Sequence, residues 1–205
     1  HPHENTAHHF PVDEQPKDWR KRKEAANPKA GFLVYRIVDW IELARKQRAK
    51  EDWAALAQTL YGLSHYLGDL TQPMHLHHDY NGEEAGLPDV HSQYETKMVN
   101  RYRDEIHALV KDSLDREKIP SYWETLDLTT IVFNTAEESF TKLPQLYKLV
   151  RPGLITPKVG KKRKNFNPAP RFVKSILWSE TKTFTVHQVA LAARLIGRAF
   201  SEICK

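Results

Sequence analysis

His65 and Asp69 stand four residues apart, His91 and Glu95 repeat that spacing, and His75 lies between the two pairs. A four-residue interval puts two side chains on one face of a helix, about a turn apart, where they can grip one cation together. Either pair taken alone reads as ordinary surface and capping residues. Two pairs with a histidine between them form a constellation, and a chain that brings them together must pack at least two helices around one point. Imidazole and carboxylate suit zinc, which at catalytic sites takes three protein ligands and keeps a position for water.

The surrounding pattern is helical. Asn27 fits an N-cap with Pro28 at the first helical position, and Phe32, Leu33, Ile37, Trp40, Ile41 and Ala44 recur at helical spacing to about residue 49. A second helix is expected from Glu51 and Asp52, acids suited to a helix start, with Leu56, Leu60, Leu63 and Leu67 as its apolar face to about residue 70. Residues 71–88 hold Pro73, Gly82, Gly86 and Pro88 and cannot form one regular element. Pro73 stops the second helix just before His75.

A third helix is predicted from a cap at Asp89 to about Leu114, and a fourth over residues 128–150, interrupted near Pro144. The stretch 151–170, with the basic run Lys161-Lys162-Arg163-Lys164, reads as an exposed connection. Two closing helices are expected, over 171–179 and 185–203. Ala190, Ala193 and Gly197 would form a small-residue packing face on the last. No strand pattern and no repeat stand out. The expected fold is all-α, one compact multi-helix domain over residues 1–205.

Composition narrows the class. The chain has 205 residues, 40% of them hydrophobic, enough to bury a core without disulfides. Its single cysteine, Cys204, excludes an intramolecular disulfide. No apolar run reaches the roughly 20 residues of a membrane span, and the polar start, residues 1–13, has no signal-peptide pattern, as expected of a mature or trimmed chain. A net charge of +5 favours anionic partners. Of eleven histidines, His1, His3, His8 and His9 open the chain, in a run too mixed for a purification tag.

The segment Leu63-Ser64-His65-Tyr66-Leu67-Gly68-Asp69-Leu70-Thr71-Gln72-Pro73-Met74-His75 resembles the motif of the zinc-dependent phospholipase C and S1/P1 nuclease superfamily. His91-Ser92-Gln93-Tyr94-Glu95 resembles its second half, and His9-Phe10 a His-Phe pair upstream. The resemblance implies an all-helical fold with a cluster of two or three zinc ions. His9, His65 and Asp69 would hold one, with Asp69 bridging to a second; His75, His91 and Glu95 would hold the remaining one. Zinc-activated water would then cleave a phosphoester.

Glu95, where the nuclease branch usually has aspartate, and the short gap from His75 to His91 resemble the bacterial phospholipase C branch. The implied activity is a phosphodiester hydrolase acting on phospholipid headgroups, with peripheral membrane contact and no protein partner. A single-strand nuclease or nucleotidase, and a catalytically impaired zinc-binding relative, are the alternatives. The resemblance also implies a secreted or periplasmic protein.

The family's first helix, with an N-terminal tryptophan, a further histidine and an aspartate proposed as general base, has no counterpart here; those positions would fall before residue 1. Three expectations follow. The segment belongs to a longer parent chain, or His1, His3 or Glu4 substitutes, or the site is incomplete. His77, His78 and Asp79 read as rim residues.

Overall fold

The computed structural model describes residues 33–77, 79–116, 119, 121–154 and 170–205. Among these residues the secondary structure is helical throughout, without strands, as the apolar spacing predicts. The predicted start of the first helix at Asn27-Pro28 lies outside the described residues.

Helices α1 (Leu33–Ala49) and α2 (Trp53–Leu70) form an antiparallel pair closed by a short turn. Glu51 takes the left-handed conformation there, with φ 55°. Asp52 caps α2 by accepting from the Ala55 N–H at 3.2 Å. The two helices approach closely at Gly62, because the missing side chain leaves room for the Trp40 indole. Trp40 then meets Tyr66 edge-on, ring centres 5.2 Å apart.

After α2 the chain makes a 3₁₀ turn, Pro73–Leu76. Met74 buries into one apolar cluster and Leu76 into the other. Met74 joins Leu87, Val90, Tyr94, Ile106, Leu146 and Leu177; Leu76 joins Ile37, Leu63, Ile131 and Leu195. His75 is therefore held between two anchored neighbours where the two clusters meet.

The predicted third helix begins differently. Ser92–Met98 is a π-helix that runs into α3 (Val99–Arg116). Asp89 is no ordinary cap: its φ is 65°, and its carboxylate accepts from the side chains of Gln93 and Lys97. Helices α4 (Leu128–Thr141), capped by Asp127, and α5 (Leu143–Leu154) flank the interruption expected near Pro144. α5 continues past residue 150, where the connection was predicted to begin, and Gly153 lets it close on Leu177.

The two predicted closing helices are one, α6 (Pro170–Ile203), which packs against each of α1 to α5. Residues 180–184 contain no proline or glycine to break it. The Thr181 hydroxyl turns back to the Leu177 carbonyl at 2.6 Å instead of competing with the helix. The predicted small-residue face is not formed as read. Ala190 is buried, but Gly197 is exposed with open space around it.

Candidate metal centre

The two His-x3-carboxylate pairs and His75 come from three successive elements. α2 supplies His65 and Asp69, the 3₁₀ turn supplies His75, and the π-helix supplies Glu95 with His91 at its N-cap. π-type turns are rare and concentrate at functional sites. This one brings His91 Nε2 to 2.9 Å from Glu95 Oε2.

His75 completes a triad. Its Nε2 lies 3.2 Å and 3.1 Å from the two Glu95 oxygens and 3.2 Å from His91 Nε2. The donor atoms of His75, His91 and Glu95 all fall within 4.8 Å of one another, so the group can hold one metal ion. The fit to the donor set can be tested by distance. A tetrahedral ion with bonds near 2.0–2.1 Å holds its ligands about 3.3 Å apart. The observed separations of 2.9–3.2 Å lie just inside that value.

The electrostatics agree with a cation's place. Burial opposes the Glu95 charge, but hydrogen bonds from His75 and His91, and their charges, outweigh it and hold the carboxyl well below the usual range. Burial also works against a charged His75. The hydrogen bond and charge of Glu95, with a smaller influence of Asp69, override it and raise the imidazole above its ordinary value. A third group braces the carboxylate: Gln72 donates from Nε2 to Glu95 Oε2 at 3.3 Å.

His65 and Asp69 face each other on α2, Nε2 to Oδ2 3.4 Å, with His65 largely exposed and Asp69 buried. Asp69 and Glu95 both line a cavity of about 220 Å³ between α2, the π-helix and α6. The carboxylate of the pair and the carboxylate of the triad therefore face one space. His9, the remaining predicted ligand, lies outside the described residues.

Of the residues read as rim, His78 lies outside the described residues and Asp79 is corrected. Asp79 is buried; its carboxylate accepts from the Ala85 N–H at 3.0 Å and its carbonyl from the Tyr147 hydroxyl at 2.6 Å. It organises the 79–90 loop that returns the chain to His91. Its own N–H donates to His77 Nδ1 at 3.1 Å.

Three contributors escaped the sequence reading. Gln72 sits in the motif, but its contact with Glu95 spans 23 residues and has no local pattern. Tyr94 is buried beside Glu95 and its hydroxyl meets Thr185 Oγ1 at 2.9 Å, tying the π-helix to α6. Burial, the largest influence on Tyr94, pushes its phenol above the usual range. Gln188 takes Lys142 Nζ on its Oε1 at 3.2 Å and donates to the Thr71 carbonyl at 2.5 Å, fixing the end of α2.

No helix among the described residues is long and apolar enough to cross a membrane. No protein-family model, no curated protein and no solved structure matches the chain.

Proposed function

We propose that the protein is a zinc-dependent phosphodiester hydrolase acting on phospholipid headgroups, of the phospholipase C and S1/P1 nuclease type that its motif resembles. The observation that carries this reading is the convergence of His75, His91 and Glu95 on one point. Asp69, paired with His65, lines the same cavity as Glu95.

Zinc bound here would supply a Lewis acid for phosphoryl oxygens and lower the pKa of water towards about 7. The chain's own residues have separable tasks. His75, His91 and Glu95 would hold one ion, with Gln72 keeping the carboxylate turned inward. His65 and Asp69 would hold a second, with His9 as a further ligand, and Asp69 has two oxygens with which to bridge. Val99, Val189 and Ala192 give the cavity an apolar wall that limits water beside the reacting group.

A nuclease is the second reading, supported by two aromatic residues near the ligands. Tyr80 stands edge-on to His91 with ring centres 5.7 Å apart, and Tyr61 is 81% exposed one turn before His65. Such rings can stack bases. The deciding assay offers zinc-loaded protein phosphatidylcholine and single-stranded DNA in parallel. Release of phosphorylated headgroup supports the first reading, and zinc-dependent DNA cleavage without it selects the second. Neither activity, with zinc bound, leaves a non-catalytic zinc protein.

A further inference from the structure

We propose that the outward face of α2, carrying Trp53 and Tyr61 and ending at His65, docks on the surface of a phospholipid bilayer containing anionic lipid. Ala54, Ala57, Tyr61, His65 and Gly68 recur at intervals of three and four and so share one side of the helix. Charged residues make up 28% of the chain, yet Asp69 is the single Asp, Glu, Lys or Arg within α2. Tyr61 is 81% exposed and Trp53 is 55% exposed. Exposed aromatic rings on an uncharged face suit the headgroup level of a bilayer, where an apolar body and a polar edge are both accommodated.

At the near end of this face three cations stand against two acids, Glu51 and Asp52. Lys46 and Arg48 occupy the last turn of α1, Lys50 follows, and the Arg48 guanidinium lies over the Trp53 ring at 5.1 Å. Of the acids at the same turn, Asp52 is engaged as the cap of α2 and Glu51 is exposed. Cations beside interfacial aromatics complement lipid phosphates and anionic headgroups.

A second copy of the chain fits less well. A face of 18 residues is about 27 Å long and roughly 10 Å wide, well below the ~800 Å² per partner of a stable interface. The far end reaches the metal centre, since His65 is one turn beyond Tyr61. Docking would bring headgroups to the mouth of the site. The inference rests on the headgroup reading for its purpose, but binding is measured separately from hydrolysis.

The test is co-sedimentation of the full chain with phosphatidylcholine vesicles containing phosphatidylserine, with chelator present so that hydrolysis is silent. The native chain is expected to bind. Trp53→Ser/Tyr61→Ser should weaken binding roughly tenfold or more, because affinity follows the apolar area inserted. Ile119→Ser, at another exposed apolar position, should leave it unchanged. A native chain that stays in solution, or a double variant that binds as well as native, overturns the proposal.

Hydroxyl-radical footprinting without lipid provides a second check. Protection of Trp53 and Tyr61 that grows with protein concentration would assign the face to a second copy. Concentration-independent protection would assign it to another segment of the same chain, and either result overturns lipid docking. Vesicle binding in chelator together with no headgroup release by the zinc-loaded chain counts against the hydrolase reading alone; release by the zinc-loaded chain with the double variant binding normally counts against the docking face alone.

Discussion

His75 and His91 are 16 residues apart in sequence, yet their Nε2 atoms face each other across 3.2 Å with the Glu95 carboxylate against both. Two imidazole nitrogens so placed compete for the same carboxylate. A cation there would turn three mutually crowded polar groups into ligands.

Gln72→Ala is expected to weaken binding of the ion at this triad by about 10–100-fold, the usual effect of losing an outer partner of a metal ligand. The variant leaves all three ligand side chains in place. Competition titration against a zinc indicator reads the change, and an unaltered affinity would remove Gln72 from the account.

His65→Ala should lower the number of zinc ions bound per chain while the triad keeps its own. Glu95→Ala should have the complementary effect, removing the triad's ion and leaving the His65–Asp69 position. Loss of both ions in either single variant would show that the two positions are not separable.

The triad also sets a pH dependence. The His75 pKa is raised above its ordinary 6.5, so its contribution to metal-free stability is complete below about 6.5 and is lost as pH rises through the raised value. Glu95 lies below its ordinary 4.5; its contribution is present above about 4.5 and is lost as pH falls through the depressed value. Urea midpoints in chelator should therefore be highest between these limits. Zinc affinity runs the other way on the alkaline side, rising as His75 loses its proton.

Two glycines in helices should respond with opposite signs. Gly62→Ala drives a methyl group into the Trp40 ring, and overpacking of about 1–3 kcal/mol should exceed the roughly 1 kcal/mol gained in helix propensity. Gly197→Ala meets open space and should stabilise by about 1 kcal/mol. Denaturant unfolding of the two variants checks the contrast.

Much of this arrangement was legible because it is periodic. The apolar spacing of Leu56, Leu63 and Leu67 places α2, and its four-residue intervals put His65 beside Asp69. What local pattern does not carry is how distant residues meet. Nothing local in Ser92–Met98 announces a π-helix, and the tie from Tyr94 to Thr185 crosses 91 residues. Residues 180–184 read as a gap between two closing helices, yet α6 runs through them because its buried side is completed by α3 and α5. Asp79 reads as a rim residue in sequence, and only the fold reveals its burial and its bonds with the Ala85 N–H and the Tyr147 hydroxyl. Gly197 shows the reverse case, a small residue at packing spacing that nothing approaches.

Elemental analysis of the purified full chain, compared with His75→Ala/Glu95→Ala, tests the central claim most directly. The account predicts at least two zinc ions in the native chain and one fewer in the double variant. A native chain that binds no zinc, or a double variant that retains the native content, would contradict it.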